Sequence, residues 1–148
     1  MRALIQRVSK ACVSAKGCQP QDISQGLVIF LGIGPDDSTA TAEKLMTKIS
    51  KLRIFEDEEG KTNRSLQDIQ GSILLVSQFT LYADCRKGNR PSFTKAAKPE
   101  QAQKLYTFCK TFIEQLGIPV KTGWFGATMS VELINDGPFT IWLDSDEL

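Results

Sequence analysis

The chain has 148 residues, of which 41% are apolar, and its formal net charge is +1 at pH 7. A chain of this length buries roughly 70% of its unfolded surface, so we predict one domain over residues 1–148. No apolar run approaches the roughly 18 residues of a membrane span, so we expect no membrane association. The chain has no histidine and no C-x-x-C pair, so we expect no metal and no cofactor.

The first half of the chain predicts strands and one helix. Residues 2–13 alternate apolar and polar side chains, as a strand does. The β-branched apolar run 27–33 is typical of a fully buried strand. Ser38 can cap a helix that runs to about Leu52. The inward face of this helix would carry Ala42, Leu45, Met46, Ile49 and Leu52. Residues 53–55 predict a further short strand.

The second half adds a buried strand over residues 72–79 and a helix that starts near Pro99 and stops at Gly117. Between them lies a long loop, residues 83–98, and loops of this length often carry function. The inward face of the helix would carry Ala102, Leu105, Cys109, Phe112 and Leu116. Further strands are predicted around Val120 and over residues 129–134 and 139–143. The mixture indicates an α/β fold with a strand-rich core and two main helices.

A polar cluster, Ser77-Gln78-Phe79-Thr80, follows directly after an apolar run. Polar groups at the end of a buried strand are typical of a pocket, and they are equally consistent with a plain turn. Without an imidazole, catalysis here would depend on positioning and on hydrogen bonds from amides and hydroxyls. We prefer the backbone N–H groups of Phe79 and Thr80 as oxyanion donors, because the Thr80 hydroxyl is a weak nucleophile without a base.

The segment Asn135-Asp136-Gly137-Pro138 lies between two apolar runs, where Asp-Gly by default forms a hairpin turn. Pro138 complicates that interpretation, because proline cannot donate to a strand ladder. It also raises the alternative of a cis peptide. Residues 123–129 contain two glycines and an alanine among larger side chains, and they predict either a small-residue pocket wall or a turn that enters a strand.

Charge is distributed unevenly along the chain. There are four cations and no acid before Asp22, and five cations and no acid from residue 85 to residue 98. Such segregation can give a near-neutral protein a face that attracts phosphate, although ordinary solvated loops have the same composition. Cys85 lies in the second segment, but no residue type that could serve as its base is present, so we do not favour it as a nucleophile.

The segments Ser77–Leu81 and Asn135–Pro138, the latter with Thr140, resemble the two signature motifs of the D-aminoacyl-tRNA deacylases. The resemblance covers essentially the whole chain, including residues 2–9, 52–57, 82–88 and the Phe-Gly-Ala-x-Met pattern that begins at Phe125 and ends at Met129. Two positions depart from the pattern. Phe139 stands where a smaller β-branched residue is expected, and residues 18–24 form an unusual first turn.

The resemblance implies a single compact α/β domain with barrel-like mixed sheets, and a cytoplasmic homodimer that hydrolyses the ester between a D-amino acid and tRNA. It implies a cis Gly137-Pro138 pair that is inserted into the partner's pocket and acts as a chiral selector. The same resemblance assigns the remaining roles. Ser77, Gln78, Phe79 and Thr80 would form the catalytic side, Arg7 would orient the Gly-Pro backbone, and Phe125 and Met129 would contact the substrate.

A selector made of main chain would exclude an L side chain and leave a D side chain free. Many D-amino acids should therefore be accepted, and glycyl-tRNA should also be cleaved. We favour assistance by the ribose hydroxyl of the substrate over attack by Thr80. Two alternatives stay open: a non-catalytic RNA-binding domain, which the basic segments would suit, and an esterase for small acyl esters with Thr80 as its nucleophile.

Overall fold

Strand β1 (Arg2–Ala15) is the centre of the fold in the computed structural model, which describes residues 1–148. One edge of β1 pairs antiparallel with β8 (Met129–Asp144), and the other pairs antiparallel with β2 (Gln21–Ile23) and β3 (Gly26–Gly32). The sheet then continues through two parallel pairs, from β3 to β6 (Ser72–Ser77) and from β6 to β7 (Val120–Thr122). Two short strands, β4 (Phe55–Glu56) and β5 (Thr62–Arg64), form a separate hairpin. This strand-rich, barrel-like mixed sheet with two main helices confirms the predicted α/β class.

Helix α1 (Thr39–Ser50) begins where the sequence predicted. The Ser38 hydroxyl accepts from the Thr41 backbone N–H at 3.3 Å, and the Thr41 hydroxyl accepts from the Ser38 N–H at 3.3 Å, so two orphan donors of the first turn are satisfied. The helix ends at Ser50, two residues before the predicted Leu52. Its buried apolar residues are Ala42, Leu45, Met46 and Ile49, as predicted.

Helix α2 (Pro99–Gln115) also starts at the predicted residue, but its buried face is rotated. The fully buried residues are Leu105, Tyr106, Cys109 and Ile113, whereas the predicted Ala102, Phe112 and Leu116 are only partly buried. The predicted face left out Ile113 and also Tyr106, whose ring carries a polar hydroxyl. In the fold that hydroxyl donates to the Leu75 carbonyl at 2.7 Å, which makes burial of the ring acceptable.

The two faces of the sheet carry separate clusters of buried side chains. The larger cluster lies under α1 and α2 and includes Ile29 and Leu75, while the smaller one includes their neighbours Val28 and Leu74. Strands β3 and β6 are therefore buried on both faces, as the apolar run 27–33 predicted. Strand β6 ends at Ser77 instead of residue 79, because the chain turns there into a 3₁₀ helix, Phe79–Tyr82.

The segment Asn135–Pro138 is not a hairpin turn. Residues on both sides of it pair with the same strand: Asn135 lies opposite Val8, and Thr140 lies opposite Gln6. Residues 136–139 thus lie opposite Arg7 alone and form a bulge within β8. The predicted strands 129–134 and 139–143 are consequently one continuous strand, because β1 is long enough to pair with both.

Candidate active site

The bulge in β8 places Gly137 and Pro138 at an exposed tip, and the peptide bond between them is cis. The side chain of Asn135 spans the base of the bulge. Its Oδ1 accepts from the Phe139 N–H at 2.7 Å, and its Nδ2 donates to the Phe139 carbonyl at 3.2 Å. A Cβ on residue 137 would lie 2.3 Å from the Phe139 nitrogen. Only glycine fits this position, so the tip presents bare main chain to its surroundings.

Arg7 fixes the other side of the bulge from β1. Its side chain is buried, and its Nε donates to the Asp136 carbonyl at 2.8 Å while Nη1 donates to the Ile54 carbonyl at 2.7 Å. The guanidinium also stacks on the Phe139 ring, 4.6 Å from the ring centroid. A planar, permanently charged group suits this arrangement, because it donates along two directions and packs on a ring face at once. Arg7 therefore contacts the residues on both sides of the Gly-Pro pair.

A cavity of about 570 Å³ opens at the carboxyl end of β6. Such a volume suits a small organic ligand. Its lining includes three segments: Ser77, Gln78 and Phe79 at the end of β6; Phe125, Gly126, Ala127 and Met129 at the entry to β8; and Phe93, Ala96 and Ala97 from the long loop. Five of the predicted site residues thus meet in one place, and the interpretation of residues 123–129 as a pocket wall fits this geometry.

The 3₁₀ helix at the rim of this cavity offers two free donors. The Gln78 N–H donates to the Leu31 carbonyl at 2.8 Å, whereas the backbone N–H groups of Phe79 and Thr80 donate to no group in the chain. The first N–H groups of any helix have no partner within it, so they are available to an acceptor. The Thr80 hydroxyl accepts from the Gln78 side-chain amide and has no carboxylate partner. Thr80 therefore lacks a base that could activate it.

Arg2 supports the same turn from beneath, a role that the sequence did not reveal. Its Nη1 donates to the Leu81 carbonyl at 3.0 Å, and its Nε donates to Asp144 at 2.9 Å. The guanidinium lies over the Tyr82 ring, 4.4 Å from the centroid. Burial, and to a smaller extent the charge of Asp37, raises the pKa of Tyr82, so this ring stays neutral. The only sequence signal for Arg2 was its place in the N-terminal part of the family resemblance.

The two motifs do not meet within one chain. Gly137 and Pro138 do not line the cavity that holds Ser77, Gln78 and Phe79. Arg7 instead borders a second, polar cavity of about 390 Å³, together with Asp136 and side chains of the β4–β5 region. The selector and the catalytic side that the resemblance implies are therefore on different parts of the surface of a single subunit.

The remaining candidate residues have simple surroundings. The four cysteines are free thiols; Cys85 is exposed, whereas burial raises the pKa of Cys109 to about 12. No three His, Cys, Asp or Glu side chains are grouped as metal ligands. Neither α1 nor α2 has the length and apolar composition of a membrane-spanning helix.

A family model described as D-Tyr-tRNA(Tyr) deacylase matches residues 4–144. The chain belongs to this family. A D-aminoacyl-tRNA deacylase of Thermomicrobium roseum is 58% identical over 149 aligned positions, which cover 100% of this chain and 96% of the relative. A D-aminoacyl-tRNA deacylase of Syntrophomonas wolfei is 55% identical and covers 100% of this chain and 99% of its own length.

Two solved structures have the same fold as this chain. The structure titled c-Myc DNA Unwinding Element Binding Protein has a TM-score of 0.91 and 42% identity, and the match covers 97% of this chain and 98% of that one. A second structure, described as a probable eukaryotic D-amino acid tRNA deacylase, has a TM-score of 0.84 over 96% of this chain and 97% of its own. At 17% identity the second likeness concerns the fold alone.

Proposed function

We propose that this protein hydrolyses the ester bond of D-aminoacyl-tRNA in the cytoplasm and releases the free amino acid and tRNA. The observation that carries the proposal is the pair of free N–H groups, on Phe79 and Thr80, at the rim of a cavity formed by family-motif residues. The full-length family match supplies the substrate class.

The chemistry follows from which groups are present. Water attacks the ester carbonyl carbon, and the carbonyl oxygen becomes an anion that the two N–H groups stabilise; the bond to the ribose oxygen then breaks, so that the amino acid and the tRNA are released. One such donor contributes about 10²–10³ in rate. No histidine is available as a base. The Thr80 hydroxyl is held by Gln78 and is not activated. The neighbouring ribose hydroxyl of the substrate then takes the assisting role, since the enzyme only has to hold it in place.

We also propose that the active form is a homodimer in which the Gly137-Pro138 tip enters the partner's cavity. Strand β8 pairs only with β1, so its other edge has unpaired backbone groups along 16 residues. No residue of β8 is buried, and Ile134 and Trp142 remain 50% and 45% exposed. An open, apolar edge strand is a strong site for association. Association of two copies about a two-fold axis would cover this edge in both.

In such a dimer the main chain of Gly137 would face the substrate's α-carbon. A side chain of L configuration would collide with main chain, and one of D configuration would point away, so the enzyme would select by exclusion. Phe139, the departure from the family pattern, supports the tip from below through its contact with Arg7. Exclusion of this kind also predicts activity on glycyl-tRNA.

A direct test compares hydrolysis of D-tyrosyl-tRNA and L-tyrosyl-tRNA by the purified protein. We expect rapid release of D-tyrosine and none above background for L-tyrosine. Equal rates on the two substrates would contradict the chiral selector, and no turnover of either would contradict the proposed activity.

The cross-subunit arrangement has its own test. A variant with a damaged rim, Phe79→Pro, and a variant with a damaged tip, Gly137→Ala, should each be inactive alone. A mixed dimer contains one intact rim facing one intact tip. When the two variants are unfolded and refolded together, about half of the dimers are mixed, and each mixed dimer has one good site out of two. Refolding together should therefore restore up to about a quarter of wild-type activity. If the tip acted within its own subunit, mixing would restore nothing.

The second candidate function is nucleic-acid binding without catalysis, which the cation-rich residues 85–98 favour. It explains the charge but not the cavity or the free N–H pair. The same hydrolysis assay separates the two functions, because a binding domain would hold the charged tRNA without cleaving it.

A further inference from the structure

The long loop carries a group of cations that no acid in the chain neutralises. From residue 85 to residue 98 there are five cations and no acid, and Asp84 immediately precedes this segment. Asp84 binds two of the five, accepting from Arg86 at Nε (2.9 Å) and lying 3.4 Å from Lys95. Lys87, Arg90 and Lys98 are exposed and form no ion pair or side-chain hydrogen bond. These three residues are called the free cations below.

The loop that carries the free cations is anchored in two ways. The backbones of Asp84 and Ser92 exchange two hydrogen bonds, of 2.8 and 2.9 Å, which close the cation-bearing tip into a small hairpin. Beyond the tip, the Ala97 N–H donates to the Ile33 carbonyl at 2.8 Å, next to the end of β3. The first contact thus closes the base of the tip that carries Lys87 and Arg90, and the second holds the backbone before Lys98 next to the end of β3.

The same loop forms one wall of the cavity. Phe93 contacts Phe79 edge to face, with ring centroids 5.0 Å apart, and Ala96 and Ala97 line the interior. Phe79 is 57% exposed and Phe93 is 38% exposed, so both rings remain partly accessible to solvent. Lys98 stands between Ala97 and Pro99, which both line the cavity, and Arg90 precedes the wall residue Phe93 by three positions, so the free cations belong to the segment that forms this wall.

We propose that Lys87, Arg90 and Lys98 bind the backbone phosphates of the tRNA acceptor arm that follow the terminal nucleotide. This inference rests on the proposed function, because it takes the aminoacyl end to lie in the cavity. Free lysine and arginine side chains are the groups that contact nucleic-acid phosphates, and such contacts position a substrate without reading its sequence. Asp84 pairs with Arg86 and Lys95, so the unpaired positive charge of the loop lies on the free cations.

The experiment uses two D-tyrosyl esters that differ only in phosphate: intact D-tyrosyl-tRNA and 3′-D-tyrosyl-adenosine, which has none. We expect the variant Lys87→Ala/Arg90→Ala/Lys98→Ala to lose on the order of tenfold to hundredfold in kcat/KM on the tRNA at 0.1 M salt. Its kcat/KM on the adenosine ester should match that of the wild type, which also shows that it folds. The dependence of log kcat/KM on log salt for the tRNA should become less steep by about two to three.

A matched control removes the same charge elsewhere. Lys48, Lys51 and Lys61 are exposed and line neither cavity, so Lys48→Ala/Lys51→Ala/Lys61→Ala should behave like the wild type on both esters. The proposal is overturned if both triple variants lose tRNA activity equally, or if the loop variant loses activity equally on both esters.

A binding measurement separates failure of this proposal from failure of the proposed function. Fluorescence anisotropy with uncharged tRNA does not depend on hydrolysis, and only the loop variant should bind more weakly. A wild type that binds tRNA through the loop but cleaves neither ester would refute the proposed function alone. Unchanged tRNA binding by the loop variant would refute the phosphate contacts.

Discussion

Arg7 contacts the backbone carbonyl of Asp136 more closely than it contacts the Asp136 carboxylate. Its Nε lies 2.8 Å from the Asp136 carbonyl oxygen and 3.5 Å from the Asp136 carboxylate, whose side chain is about half exposed. The carbonyl contact places the backbone immediately before Gly137. The position of the tip thus depends on a buried side chain of the neighbouring strand.

Arg7→Met and Asp136→Ala should therefore differ. Arg7→Met removes two charged hydrogen bonds to carbonyls, each of about 1.5–3 kcal/mol, and should lower both Tm and kcat/KM for D-tyrosyl-tRNA. Asp136→Ala keeps the carbonyl and loses only a part-exposed ion pair of about 0–1 kcal/mol, so both quantities should stay near wild type. An equal loss in both variants would show that the side-chain charge, not the carbonyl, holds the tip.

Thr80→Ala should keep activity within about tenfold of the wild type, because its N–H remains and its hydroxyl has no activating base. The measurement is single-turnover deacylation of D-tyrosyl-tRNA. A loss approaching a millionfold, which removal of a true nucleophile causes, would contradict assistance by the substrate.

A matched substrate tests the same point from the other side. D-tyrosyl-tRNA whose terminal ribose lacks the neighbouring hydroxyl should not be turned over, although it should still bind. Unchanged turnover of this substrate would assign the assisting role to the protein.

Glycyl-tRNA should be cleaved, and L-alanyl-tRNA, which differs by one methyl group, should not. A hydrophobic contact discriminates one methyl by only about 1–3 kcal/mol, or 10–200-fold. Collision with main chain at Gly137 should exceed that, because a Cβ-free backbone held at both ends of the bulge cannot move aside. Comparable kcat/KM values for the two tRNAs would rule out Gly137 as the selector.

The cysteines should differ sharply in reactivity. Cys85 is exposed and Cys109 is buried, so a thiol reagent should modify Cys85 first and reach Cys109 only on unfolding. Mass spectrometry after timed labelling measures this order. Cys85→Ser should retain full activity, and a chelator should have no effect on activity. An inactive Cys85→Ser variant, or inhibition by a chelator that one added metal reverses, would contradict the expected chemistry.

Stability should fall at alkaline pH partly through Cys109. Its pKa is about 12 in the fold against about 9 for an ordinary thiol, so ionisation favours the unfolded chain. The stabilisation from Cys109 is complete below pH 9 and is lost as the pH rises towards 12. Burial raises the pKa of Tyr106 as well, so its ionisation also lowers stability at alkaline pH. Urea midpoints measured at pH 8 and pH 10.5 should drop less in Cys109→Ala than in the wild type. An identical drop in both proteins would contradict the role of Cys109.

Features that depend on a few neighbouring residues could be predicted from the sequence. Ser38 caps α1 because its hydroxyl reaches an N–H three residues on, and Pro99 starts α2 because the missing N–H is not needed there. The run 27–33 is buried on both faces, as a continuous apolar segment predicts. The motif residues Ser77, Gln78 and Phe79 likewise line a cavity where an apolar strand ends.

Features that depend on distant partners were decided only by the tertiary structure. Asn135–Pro138 has the composition of a hairpin turn, but β1 continues past it and pairs with both flanks, so the segment becomes a bulge anchored by Arg7. Tyr106 is buried because the Leu75 carbonyl lies within reach of its hydroxyl, and Phe93 becomes a cavity wall because it packs on Phe79. Local sequence sets which conformations a segment can adopt; which one it adopts depends on the hydrogen bonds and buried surface that a strand or helix far along the chain provides.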